Sequence, residues 1–233
     1  GGLIGAAVVT TLASQGAQPL TLWHSGPYEL LAPTQPPRAD AQSLSVRLMN
    51  GERRPEVFNF TNASSEAREV LFSLEDLPGG TNPPYVRVFE VQSVDTREFI
   101  TVSSALLPLT ASDGQYQTTV PAGLTRQIWL AFEPADIAPG EHRGRVATQS
   151  GSFERTLPLT MTVSAVRFPQ QVTMSSFMWD YIVSNSYAID PSNQQAVRDF
   201  VVNDPIMTGV EAGPGELPRP TTMNADGTIG PID

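Results

Sequence analysis

Trp179, Asp180 and Tyr181 close a short apolar run over 176–182 and place two aromatic rings and a carboxylate in consecutive positions. An aromatic ring with an acid at a strand's carboxyl end could stack on a sugar face and hold its hydroxyls, because barrel sites gather at such ends. The plainer reading has the rings packed against a neighbouring layer and Asp180 capping a loop. It carries more weight, since strand-end location alone is a weak pointer. Glu211 ends a second short run over 207–212, and Glu216 lies just beyond. Two carboxylates near one face could act as general acid and base. Asn224-Ala225-Asp226-Gly227 lacks the downstream Glu of a calcium loop and reads as a plain turn. His24 and His142 share no ligand motif, and no P-loop, GxGxxG, GxSxG or HExxH occurs. Trp23 and Trp129 stand in alternating runs and read as core residues rather than sugar platforms.

These residues must be positioned by what precedes them. Alternating runs recur over 20–24, 43–49, 56–61, 68–74, 86–94, 99–107, 115–120 and 153–163, with turn signals at Asn50-Gly51, Pro78-Gly79-Gly80, Ser112-Asp113-Gly114 and Gly151. The stretch 127–146 reads as a hairpin with a long loop: Ile128, Leu130 and Phe132 alternate, Pro139-Gly140 turns, and a second run starts at Arg143. Residues 33–40 are Pro-rich and read as a loop. No amphipathic helix precedes Phe168, so the pattern predicts an antiparallel β-sandwich of about eight strands over 19–167.

After Phe168-Pro169 the texture changes. A strand over 176–182 is followed by a helix start, with Asp190 as N-cap and Pro191 in the first turn, and helical spacing runs to Asn203. The strand over 207–212 completes a strand–helix–strand order, the opening of an α/β unit. A lone unit of this kind cannot cover both faces of its sheet, so residues 168–233 are expected to begin a larger domain.

Composition bounds the partners. The 233 residues carry 14 basic and 24 acidic side chains, every basic one Arg, for a net charge of -10. With no basic stripe, nucleic acid and anionic membranes are disfavoured as partners. Cysteine is absent, which removes disulfides, thiol nucleophiles and Cys-ligated zinc, and no cofactor or metal is expected. The apolar run 3–12 followed by small and polar residues 13–18 resembles the end of an export signal, giving a secreted or periplasmic expectation.

Gln127, Trp129, Pro134, Pro139, Gly140 and Gly144, with Phe168-Pro169 closing the module, resemble the N-terminal β-sandwich of bacterial family 123 glycoside hydrolases and of related proteins with a domain of unknown function of the 4091 type. The resemblance covers about 57–182. It implies a (β/α)8 barrel after the sandwich, with helix 193–203 and the run 208–211 as its first helix and second strand. It also implies an adjacent Asp-Glu pair on a later barrel strand and a substrate acetamido group as nucleophile. No residue here matches that pair: Glu75-Asp76 has the reverse order and lies in the sandwich. The resulting expectation is a support module and barrel start of an exported glycoside hydrolase, inactive alone. The competing expectation is a non-catalytic carbohydrate-binding or adhesion sandwich of a cell-surface protein. Parallel pairing of the run at 177–182 with 208–211 would favour the first.

Overall fold

The computed structural model describes residues 19–39, 41–95, 101–169, 176–178, 190–193 and 207–210. The chain divides into two compact units, Gly1–Phe168 and Pro169–Asp233.

Among the described residues of the first unit, ten strands form two five-stranded sheets. In chain order they are β1 Leu20–Trp23, β2 Leu44–Asn50, β3 Arg54–Asn62, β4 Arg68–Glu75, β5 Val86–Asp95, β6 Thr101–Pro108, β7 Tyr116–Val120, β8 Thr125–Phe132, β9 Gly140–Ser150 and β10 Phe153–Arg167. One sheet runs β1-β3-β8-β5-β6 and the other β2-β10-β9-β4-β7. The period-2 patterns explain the layers: Phe58, Phe60, Val88, Ile128 and Leu130 from the first sheet meet Val46, Phe72, Val146, Leu159 and Met161 from the second. Phe58 meets Phe60 and Phe72 edge-on at 5.5 and 5.6 Å, and Phe72 stacks on Tyr116 at 5.3 Å. Each such pair adds about 0.5–1.5 kcal/mol beyond its area burial.

Two expectations are corrected. The run 127–146 is not a hairpin: β8 belongs to the first sheet and β9 to the second. The proline-rich link from 133 to 139 crosses between layers, and the Asn50-Gly51 turn does the same from β2 to β3. Asn50 fastens the two crossings together. Its side chain donates to Ile137 O at 2.8 Å and accepts from Ile137 N at 2.9 Å, while Gly51 N donates to Pro134 O at 2.7 Å. A buried amide thus satisfies both backbone groups of a residue that lies in no strand. The sandwich is also not wholly antiparallel, because β2 pairs parallel with β10 from Leu44↔Leu159 to Asn50↔Arg167.

Gly144 is required by packing. A Cβ there would lie 2.6 Å from Glu75 O and 2.7 Å from Leu77 Cγ. Gly140 is needed for conformation instead, with φ at 133°.

In the second unit, β11 Ser176–Met178 and β12 Met207–Val210 pair in parallel, with Phe177 opposite Gly209 and Met178 opposite Val210. Between them Pro191–Asn193 forms a 3-10 turn. Asp190 Oδ1 accepts from Ser192 N at 2.9 Å and from Ser192 Oγ at 2.6 Å across this turn. The described residues contain no α-helix; the expected helix continues over 194–203, outside them.

Gly144→Ala is expected to destabilise the sandwich by about 1–3 kcal/mol, because backbone as well as side chain must move. Gly151 has φ at 58° and nothing within 4 Å of an added Cβ, so Gly151→Ala carries only the conformational term, about 1 kcal/mol. Urea denaturation of the two variants measures the difference.

Candidate functional site

The first sheet buries side chains on both of its faces, though not along its whole width. Trp23, Val57 and Val91 are buried but lie outside the cluster between the sheets. They alternate with core residues and so occupy the outer face. Covering them is the connection from β1 to β2, a strap without strands that includes the Pro-rich segment.

Polar groups tie the strap down. Asn59, with 0% exposure, donates from Nδ2 to Ser25 Oγ at 3.0 Å. Gln127 Nε2 donates to the same hydroxyl at 3.2 Å and to Asn59 Oδ1 at 3.1 Å. A second chain of bonds runs from Trp23 Nε1–H to Thr61 Oγ1 at 2.8 Å, on to Thr125 Oγ1 at 2.6 Å, and from there to Gln35 O at 2.7 Å. Pro33 O accepts from Thr125 N, Leu31 O from Ser103 Oγ, and the Arg38 guanidinium sits 5.9 Å over the Trp23 ring. Arg38 also donates to both carboxylate oxygens of Glu29, which holds the Glu29 carboxyl below its ordinary range. His24 Nε2 meets Glu56 Oε1 at 2.9 Å.

Beyond the strap's margin lies a row set by strand register: Val57, Trp129, Phe89 and Pro108 are neighbours across β3, β8, β5 and β6. Val57 is buried, Trp129 and Phe89 are half-buried, and Pro108 is exposed. The strap's Tyr28 stands against Trp129 with ring centroids 6.1 Å apart and planes at 75°. Arg87 lies 5.8 Å over Phe89. Arg53 bonds both Glu133 oxygens at 3.2 and 3.3 Å, and Arg87 approaches one of them at 3.5 Å. Trp23 is fully buried but belongs to the strap-covered face. Trp129 is not a core residue, which corrects the sequence reading: alternation alone does not say which layer a face meets.

The second sheet carries a shallow, polar concavity of about 440 Å³ on β4, β9 and β10, bordered by Ser73, Glu75, Gln149 and Glu154. Glu75 accepts from Ser73 Oγ at 2.8 Å and from Arg145 Nε at 2.9 Å, which together hold its carboxyl below the ordinary value. No aromatic ring borders this concavity. The described residues hold no cluster of three metal-ligating side chains. Asn59-Phe60-Thr61 and Asn62-Ala63-Ser64 fit the N-glycosylation triplet, but Asn59 and Asn62 are fully buried, so neither side chain is accessible in the fold.

Trp179, Asp180, Tyr181 and Glu211 lie outside the described residues. The described strands end at the preceding positions, Met178 and Val210, which are register partners. The residues that sequence reasoning missed are Tyr28 and the Arg87–Glu133 pair. Their only sequence signal was an exposed-looking Gly26-Pro27 turn and an alternating charge in β5.

No protein-family profile matches the chain, and no curated protein matches it in sequence. Solved structures do match in fold. A family 123 glycoside hydrolase from Clostridium perfringens aligns over 82% of this chain with a TM-score of 0.59 at 11% identity. The chain spans only 37% of that protein. A cohesin from Archaeoglobus fulgidus aligns at TM-score 0.33 and 9% identity, over 64% of this chain and 93% of its own. A PapD-like domain of human CEP192 aligns at 0.30 and 13%, over 63% and 99%. At these identities the likeness is one of fold.

Asn59→Ala removes a buried amide and leaves the Ser25 and Gln127 groups without it, so a loss of about 1–3 kcal/mol is expected in chemical denaturation. A second expectation concerns acid. Glu75's folded pKa lies below its ordinary 4.5, so the unfolded chain takes the proton first as pH falls. The resulting stabilisation is complete above that value and is lost as pH drops through the folded pKa. Glu75→Gln should therefore flatten the fall in melting temperature below about pH 4.5.

Proposed function

We propose that this chain is the N-terminal support sandwich and the opening strands of a (β/α)8 barrel in a secreted or periplasmic glycoside hydrolase. The parallel pairing of β11 with β12 carries the reading. Parallel neighbours need a crossover between them, as the opening of a strand–helix–strand unit supplies. The fold likeness to a family 123 enzyme supports it further. The first unit ends at residue 168 of 233, so a match over 82% of the chain must run into the second unit.

In this reading the sandwich braces the barrel. Trp179, Asp180, Tyr181 and Glu211 follow the carboxyl ends of the first two barrel strands, where an aromatic ring and a carboxylate would line the sugar site. Carbohydrate is the partner, and the acid–base machinery needs later strands. A barrel assembles its site from several strand ends, so the 233 residues alone do not hydrolyse glycosides. The non-catalytic binding module is the competing reading, and in it the run at 176–178 would add antiparallel to the sandwich.

The test compares the 233-residue chain with the product of its full reading frame on nitrophenyl 2-acetamido-2-deoxyglycosides and on a panel of other nitrophenyl glycosides. Turnover is expected from the full product only. Turnover by the short chain, or none by a folded full product on any glycoside, would sink the reading.

A further inference from the structure

We infer that Asn50-Gly51 is a modification site gated by folding. Asn50 deamidates through a cyclic imide while the sandwich is open, is locked against that reaction while it is closed, and yields a product that cannot rebuild the lock. The inference stands on the sandwich alone and goes beyond the glycosidase reading.

The sequence supplies the reactive pair. Asn50-Gly51 is the one Asn-Gly step in the chain, and a glycine after asparagine leaves the backbone nitrogen unhindered. In an open chain at mildly alkaline pH, Gly51 N gives its proton to a solvent base and attacks Asn50 Cγ. The N–Cγ bond forms, the Cγ–Nδ2 bond breaks, and Nδ2 departs as ammonia after taking a proton. Water then opens the imide ring at either carbonyl carbon, leaving aspartate or isoaspartate. Water is the co-reactant, and no oxidant or reductant is needed.

The fold withholds the atoms of that reaction. Gly51 N donates its hydrogen to Pro134 O at 2.7 Å, so the nucleophile stays protonated. Asn50 O accepts from Phe168 N at 2.9 Å, so the peptide joining 50 to 51 is held at both its carbonyl and its N–H. The side-chain amide is held as well, with Nδ2 on Ile137 O at 2.8 Å and Oδ1 on Ile137 N at 2.9 Å. Ring closure turns this peptide and the amide toward each other, and so needs these bonds released. Asn50 is also only 4% exposed, which keeps base and water away. The product loses the lock. Aspartate at 50 only accepts hydrogen bonds. One oxygen still meets Ile137 N–H, but the other faces Ile137 O with no hydrogen between them, in a buried place. Isoaspartate adds a carbon to the backbone just before Gly51, where φ is held at 84°. Both crossings between the layers share this amide, so either product loosens them together.

The experiment holds the 233-residue chain at mildly alkaline pH, native in one sample and unfolded in guanidinium chloride in another, and follows residue 50 by peptide mapping. The readout is the mass change on exchanging ammonia for water, with the aspartate and isoaspartate forms separated. Conversion to both forms is expected in denaturant, and at least about tenfold more slowly in the native sample, where reaction must wait for opening. Gly51→Ala should slow conversion in denaturant, because the added Cβ hinders the nitrogen. Chain converted in denaturant and returned to buffer should unfold at lower denaturant concentration than unconverted chain, or fail to refold, and so should Asn50→Asp. A native rate within about tenfold of the unfolded one would overturn the inference. So would no conversion in denaturant, conversion to aspartate alone, or a rate that Gly51→Ala leaves unchanged. An unchanged unfolding midpoint in both the converted chain and Asn50→Asp would overturn it as well. None of these outcomes depends on hydrolysis of a glycoside, so failure here and failure of the glycosidase reading are separable.

Discussion

Burying both faces of one sheet is the constraint from which the rest of the sandwich follows. β3 carries Phe58 and Phe60 into the space between the sheets and Val57, Asn59 and Thr61 away from it, and every one of these is buried. A strand of this kind needs a second cover. Here the cover is an irregular strap, not a sheet or a helix. An irregular segment has backbone groups of its own to satisfy, and it can lie on a sheet only where side chains take those bonds. Thr125, Ser103, Asn59 and Gln127 provide them. The outer face therefore carries buried polar anchors beside Trp23 and Val57 where the strap lies, and half-buried Trp129 and Phe89 in the row beyond it.

That division brings aromatic and charged side chains together at the strap's margin. Trp129 is half-covered because the strap ends beside it, and Tyr28 reaches back over it from the strap itself. The same register that sets Trp129 beside Phe89 brings Arg87 over Phe89 and close to Glu133. The crossings at the end of the sandwich work by a similar rule. Asn50 substitutes for a missing strand by bonding both backbone groups of Ile137, so two connections between layers are held by one buried amide.

The matched residues of the family resemblance acquire physical reasons in this frame. Gln127 belongs to the buried amide group, Pro134 offers its carbonyl to Gly51, Gly140 adopts a backbone angle closed to other residues, and Gly144 has no space for a Cβ. These are reasons of packing, and none concerns catalysis. A pattern of this sort marks a sandwich of a given construction.

Strand identity was legible in the sequence because alternation is local: each of β2 through β10 falls on or near a predicted run, and turn residues such as Asn50-Gly51 and Gly151 mark real reversals. Which sheet a strand joins was not, since period-2 alternation says that a face is buried without naming the layer that buries it. Hence 127–146 reads as a hairpin although its halves enter different sheets, and Trp129 reads as core although it meets the strap and water. The corner between Tyr28 and Trp129 joins residues about a hundred positions apart, and the Asn59–Gln127–Ser25 group joins three separate segments. Such placements are made by long-range packing, and only the tertiary structure decides them.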